Sequence, residues 1–349
     1  MTVEQTTHPA ADLTVVRQVL RDSLGYLYPA ALRVAAGTSI AHHLADGPKT
    51  PERLAELAAV DPSHLRRVLR LLATRGVFEE DVATGAFGNT PISGLLRRDS
   101  IVPMRHLVLL FTGDSYWQPT GRLDESVRSG ESIYEQVFGA QFFDHLAADA
   151  ERNELFDLAL ATMSALEQDA IVAAYDFPES AVVVDVAGGL GGFLRSVLRG
   201  RPGLRGVLVD RGPTLARHLL DEPELSGRWE TVEADFCVEL PQGGDIYTLK
   251  RIIHDKNEDE CLRILRTCRA AMSPEARLLI IDAVVPPTHD APSTSLSDIL
   301  MMAVFEGRER TGEEFRELLA AAGLELRKVI PTASGLSIVE AAHPTRPAG

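Results

Sequence analysis

The sequence has 349 residues, more than one ordinary hydrophobic core accommodates and the length of two domains. Its 45% hydrophobic and 24% charged residues are those of a globular chain, and no apolar run reaches the ~18 residues of a membrane span. A net charge of −15 argues against nucleic acid as a partner, because its phosphates would be repelled.

Positions 1–12 are polar, include Glu4 and Asp12, and lack the apolar centre of a secretion signal, so a cytoplasmic protein is expected. Three cysteines, Cys237, Cys261 and Cys268, have no metal-like spacing and read as reduced thiols. Cys261 and Cys268 fall seven apart on a predicted helix, a packing spacing. Residues from about 12 to 100 read as helical with short connectors. Thr50 can cap a helix that begins at Pro51 and buries Leu54, Leu57 and Ala58. Asp61-Pro62-Ser63 opens a second, with Leu65, Val68, Leu69 and Leu72 on one face. It stops near Gly76, and 77–79 and 86–88 then form a short hairpin about a turn at 83–85. Two helices followed by a hairpin make a winged-helix pattern. Arg66, Arg67 and Arg70 stand where a DNA-reading helix needs them, yet residues 1–100 hold 11 basic and 11 acidic side chains, so no positive field supports that use. A dimerisation and substrate-covering module is the expected role.

Residues 101–177 read as further helices rich in Phe, Tyr and Trp, most of them core. Tyr116 and Trp117 near a helix end, and Met163 on the helix entering the next domain, are candidates to line a pocket. From position 181 short β-branched runs alternate with amphipathic helices, the pattern of a parallel sheet wrapped by helices. The expected strands are 182–186, 206–209, 230–232, 245–249 and 277–281, closed by 326–330 and 336–339.

The first of these runs into Ala187-Gly188-Gly189-Leu190-Gly191-Gly192 and then an apolar helix. Such a turn lets main-chain amides approach a ligand at a helix N-terminus. A dinucleotide fingerprint starting at Gly189 needs a small residue at position 194, which is Leu194. Asp185 precedes the glycines, Asp210 ends the next strand and Asp235 follows the third, beside Phe236. Three acids at successive strand ends suit a nucleoside carrying positive charge, with Asp210 accepting ribose hydroxyls and Asp235 an adenine amino group. S-Adenosylmethionine has those parts. The fourth strand then delivers His254 to the same edge.

In this last segment the chain resembles the small-molecule O-methyltransferases that include plant caffeic acid and acetylserotonin enzymes and bacterial antibiotic-tailoring enzymes. Leu249-Lys250, His254-Asp255 and the acidic run Asn257-Glu258-Asp259-Glu260 match that family's catalytic segment, and the likeness extends over roughly residues 30 to 340. The resemblance implies an α/β fold: a Rossmann-like seven-stranded methyltransferase domain over 178–349, after a mainly helical, winged-helix-like dimerisation domain over 1–100 and a helical linker and substrate-covering region over 101–177. It implies His254 as general base, flanked by Asp282 and Glu309. It places S-adenosylmethionine, which becomes S-adenosylhomocysteine, on Ala187, Gly188, Gly189, Gly191, Asp210, Asp235, Phe236 and Lys250. Asp185, Arg211 and Arg251 adjoin these. Met301 faces the acceptor in relatives, and Met302 and Asp298 share its helix. A homodimer and a small hydroxylated aromatic acceptor are implied too.

Three positions depart from the family. Ala187 stands for a glycine and is expected to crowd the turn. Asp282 replaces a glutamate and is one methylene shorter. Lys256 replaces a tryptophan and reads as a surface change. The remaining histidines (His42, His43, His64, His106, His145, His218, His289 and His343) form no ligand set, so no metal is expected. Two alternatives stay open: a relative that keeps the cofactor but hydroxylates or decarboxylates, and a winged-helix regulator that senses a nucleoside.

Overall fold

The computed structural model describes residues 12–288 and 291–345; positions 1–11, with the polar leader, and His289 lie outside the described residues. The chain forms two compact units, one running to Thr112 and one from Gly113 onward.

In the first unit, Thr50 caps the helix Pro51–Ala58 by accepting from the Arg53 amide, and Asp61 caps Pro62–Ala73 by accepting from the His64 amide. The first of these helices buries Leu54 and Ala55, while Leu57, expected inside, is exposed. The second buries Leu65, Leu69 and Leu72. The strands Phe78–Asp81 and Ala86–Asn89 pair antiparallel, Phe78 opposite Asn89, and complete the winged-helix pattern. Phe78 and Phe87 join Ala35, Ile40 and Leu54 in one core. The helix Met104–Phe111 belongs here as well, Arg105 Nε donating to the Ala36 carbonyl across to the helix Leu27–Gly37. Arg66 is paired with Glu52 at 3.0 Å and Arg70 with Glu80 at 3.3 Å, so acids of the same unit neutralise two of the three arginines of the second helix.

The second unit begins with short helices and the long helix Ala150–Ala174. Phe142 is the hub of the aromatic residues, its ring centroid 5.7 Å from that of Tyr116, 5.6 Å from Phe156 and 4.7 Å from Phe305. Seven strands follow: β1 (Ala181–Val186), β2 (Leu204–Asp210), β3 (Trp229–Glu233), β4 (Ile246–Lys250), β5 (Arg277–Asp282), β6 (Glu325–Pro331) and β7 (Ser337–Ala342). They lie in the order β6-β7-β5-β4-β1-β2-β3. β1 to β5 pair parallel among themselves, and β7 runs antiparallel between β5 and β6. Alternate strand residues feed two cores, one on each face: Val184, Leu249 and Ile280 on one, Val183, Leu208 and Ile281 on the other. The strand order reverses between β1 and β4. Open α/β sheets bind ligands at such a point, beyond the strand carboxyl ends. The glycine turn follows β1 and His254 follows β4, so topology alone puts them side by side.

Candidate active site

The turn after β1 is built on left-handed backbone: φ is 53° at Ala187, 59° at Gly189 and 75° at Gly191. Ala187 therefore adopts the conformation the turn requires, at a cost on the order of 1 kcal/mol that a glycine would avoid. Gly188 admits no side chain, because a Cβ there would lie 2.5 Å from Asp185 Oδ2 and 2.6 Å from Leu208 Cδ1. Those contacts locate Asp185. It is only 1% exposed and packed against the turn, where Oδ1 accepts from Thr248 Oγ1 at 2.7 Å and Oδ2 has no hydrogen-bond partner. Burial pushes its pKa up to about 6, against the Thr248 hydrogen bond. Its place is thus within the turn's support rather than on an open face. Asp210, at the end of β2, accepts from the Gly189 amide at 2.9 Å and from the Arg211 amide at 2.7 Å, which fixes its carboxylate against the turn. Arg211 itself is exposed. Asp235 is exposed, Oδ1 accepting from the Cys237 amide at 2.8 Å, and the neighbouring Phe236 is half-buried against the core.

Glu167 is a site residue that sequence reasoning missed. It projects from the helix Ala150–Ala174, is buried, and gathers Lys250 (Nζ to Oε2, 2.8 Å) together with Arg251, whose guanidinium reaches both of its oxygens. Burial opposes the charge on each partner. It lowers the Lys250 pKa, whereas on Glu167 the two cations prevail and lower the carboxyl. Arg251 too holds a left-handed backbone, φ 57°. The hint available was spacing: Ser164, Glu167 and Gln168 share a helical face with Met163, and Ser164 Oγ also meets Lys250 Nζ at 3.4 Å.

Beyond Arg251 a single tight turn, Ile253–Asp255, carries His254 inward. The side chain is buried, and Nδ1 lies 2.9 Å from Glu309 Oε1. Glu309 is fixed in turn, because Ser297 Oγ donates to Oε1 at 2.5 Å and Asp298 Oδ1 accepts from its amide at 2.9 Å. Asp298, expected at the acceptor, thus serves the loop that presents Glu309. Asp282, at the end of β5, is fully buried, and neither oxygen has a hydrogen-bond partner. Burial pushes it up to about 6 against the pull of His254. Burial also works against a charged His254, but the Asp282 and Glu309 carboxylates outweigh it and raise the imidazole above its ordinary value. Glu309 is held below the carboxyl norm, since its contact with His254 overcomes its own burial.

Met301 is buried and Met302 half-buried on the helix Pro292–Val304, which also bears Ser297 and Asp298. The helix Asp114–Thr120, with half-buried Trp117, packs against it. Met163, half-buried, rides the helix that supplies Glu167. Lys256 is not the surface change expected from sequence. Its ammonium lies 4.2 Å over the Phe143 ring and 2.9 Å from Asp255, in the wall of a cavity of about 440 Å³ also lined by Tyr134, Phe142 and Phe305. Among the described residues, no group of three or more His, Cys, Asp and Glu could hold a metal ion, and no helix is long and apolar enough to cross a membrane.

A seven-stranded sheet with one antiparallel strand, a glycine turn braced by an acid on the neighbouring strand, and an adjacent histidine–glutamate pair define an S-adenosylmethionine-dependent methyltransferase. The comparisons narrow the class. Residues 121–325 match the O-methyltransferase domain and residues 20–99 the O-methyltransferase dimerisation domain. A phenazine O-methyltransferase of Lysobacter antibioticus is 38% identical over 91% of this chain and 93% of its own. A methyltransferase of calicheamicin biosynthesis, solved with S-adenosylhomocysteine, is 41% identical with a TM-score of 0.85 over 96% of this chain and 100% of its own. An O-methyltransferase of neocarzinostatin biosynthesis, solved with S-adenosylmethionine and 2-hydroxy-5-methyl naphthoic acid, is 32% identical with a TM-score of 0.79 over 90% and 96%. The chain belongs to the S-adenosylmethionine-dependent O-methyltransferase family.

Proposed function

We propose that this enzyme methylates a phenolic hydroxyl of a small aromatic natural-product intermediate, with His254 as general base. The carrying observation is the His254–Glu309 contact. An ionised carboxylate only accepts, so Nδ1 must bear the proton it donates, and neutral His254 keeps Nε2 as an acceptor. A phenol titrates near 10 and imidazole near about 6.5, so the proton moves as charge builds on oxygen rather than beforehand. The bound naphthoic acid of the neocarzinostatin relative and the phenazine specificity of the Lysobacter relative favour an aromatic acceptor.

The residues beyond β1, β2 and β3 fit S-adenosylmethionine. Gly189 in the turn borders open space, with nothing within 4 Å of where a Cβ would stand, and Asp210 and Asp235 each keep acceptor capacity beyond the amides they bind. When bound, that group supplies a methyl already activated by a sulfonium, so the protein's task is alignment and proton removal. No metal enters this scheme. The experiment is mass-spectrometric assay of methyl transfer to a panel of phenols and matched arylamines; transfer to the amines alone would exclude the phenolic reading. In parallel, Asp210→Ala should weaken S-adenosylhomocysteine binding by about 10²-fold in calorimetry, from the loss of two hydrogen bonds to a charged group at roughly 1.5 kcal/mol each.

We also propose a homodimer assembled through the first unit. The helix Leu13–Ser23 buries none of its residues, and Leu13, Val16 and Leu20 lie exposed along it. An 11-residue helix is marginal in water without a surface to cover its apolar side. A partner would gain on the order of 1.5 kcal/mol or more for each such side chain it buries. Val16→Asp with Leu20→Asp, one turn apart, should convert the dimer to monomer in sedimentation velocity. A dimer that survives both charges places its interface elsewhere.

A further inference from the structure

We propose that Arg310 is a positioning residue whose buried guanidinium keeps the His254 turn and the Glu309 loop in register. The proposal rests on His254 being the base. Those two side chains come from separate loops, 55 positions apart, and their contact is a single hydrogen bond. Main-chain contacts set its length. Arg310 is 1% exposed, and Nη1 donates to the Ile253 carbonyl at 3.0 Å, the peptide that leads into His254. Nη2 reaches Glu258 Oε2 and Cys261 Sγ, at 3.4 and 3.5 Å, on the helix that follows the turn. Cys261 Sγ donates to the same Ile253 carbonyl at 3.3 Å. On the other side of Glu309, Gly307 presses directly on the His254–Asp255 peptide: a Cβ there would lie 2.0 Å from the His254 carbonyl oxygen and 2.7 Å from Asp255 Cα. Glu309 therefore sits between two residues that both grip the main chain of the histidine turn.

Stability alone is a weak reason for such an arginine. A buried guanidinium with Nε unpaired is expensive, and an apolar side chain of similar volume commonly fills such a place at no loss. Glu258, its ion-pair partner, is half exposed and would not be stranded. What methionine cannot supply is a donor to the Ile253 carbonyl.

The test uses the full-length enzyme, with His254→Ala as reference. Arg310→Lys keeps the charge but donates from one point, so any change in its pH–rate profile comes from geometry. Its kcat should fall by about tenfold or more, as displacements of the order of an ångström do. The acidic limb should move down towards the ordinary imidazole range as Glu309 loses its grip, with S-adenosylhomocysteine affinity unchanged. Arg310→Met should be at least as slow while melting no lower than wild type. Wild-type kcat and profile in both variants overturn the proposal, as does a loss of cofactor affinity in step with kcat. Should neither variant fold, Gly307→Ala is read the same way: slow turnover with intact affinity supports the clamp, and wild-type turnover overturns it. If His254→Ala itself keeps its rate, the base assignment has failed. If His254→Ala is slow and Arg310→Lys is not, only the clamp has.

Discussion

His254→Ala loses turnover by roughly 10² to 10⁴ while binding S-adenosylhomocysteine as tightly as the wild type. The two quantities separate because the groups do. The turn from Ala187 to Gly191 is braced by Asp185 and Asp210, and neither carboxylate bonds to the histidine. On the proposed function, what the variant lacks is an acceptor for the proton of a phenol of pKa near 10. The residual rate measures alignment alone. Truncation also leaves the Glu309 carboxylate buried with Ser297 as its remaining side-chain donor, so some loss of melting temperature is expected. His254→Gln, which can still bond Glu309, separates that structural loss from the chemical one. It should restore the melting temperature and not the rate. A rate near wild type in either variant would remove His254 as the base.

How much of this could be read from the sequence depended on the range over which each feature is written. All seven sheet strands were legible, because strand burial is recorded locally in β-branched runs and the turns between them. The caps at Thr50 and Asp61 were legible for the same reason. The parallel order around the glycine turn followed from the alternation of strand and helix. Partners distant in sequence were not legible. Glu167 lies 83 positions before Lys250, on a helix with no marked apolar face, and nothing local tells a buried anchor from one more surface acid. Asp185 was recognised at a strand end, but its burial beneath Gly188 depends on Leu208 and Thr248 of two other strands. Lys256 looked like a surface residue because the Phe143 ring that receives it belongs to a helix far back in the chain. The match of Glu309 to His254 came from resemblance rather than pattern. Its hydrogen-bond partner Ser297 stands on a different element, where no local pattern points to Glu309.

Glu309→Gln moves the acidic limb of the pH–rate profile to lower pH and at the same time lowers its plateau, and the two effects share one origin. As the proposed base, His254 acts only when unprotonated, so the rate is expected to climb with pH as the imidazolium gives up its proton. In the wild type burial opposes that cation, but Asp282 and Glu309 more than compensate, so the midpoint lies above the ordinary value of about 6.5. A neutral amide at position 309 withdraws one of the two carboxylates, and burial, which favours the neutral ring, gains weight. The midpoint therefore falls, and a larger fraction of the enzyme is competent in mild acid. That fraction is nevertheless slower, because the imidazolium formed in the transition state has lost the anion that stabilised it. The amide can also donate to Nδ1, which leaves the ring's proton on Nε2, where the acceptor hydroxyl must deliver its own. In a hydrolase triad the equivalent change costs up to about 10⁴-fold in kcat. A loss of 10² to 10⁴ with a lowered midpoint is expected here, read from kcat and kcat/KM between mild acid and mild base. Because Asp282 makes no hydrogen bond to the ring, Asp282→Asn should lower the midpoint in the same direction with a much smaller fall in the plateau. If instead Asp282→Asn proves the slower of the two, Asp282 and not Glu309 orients the imidazole during the reaction, and the 2.9 Å contact belongs to a resting arrangement that the acceptor displaces.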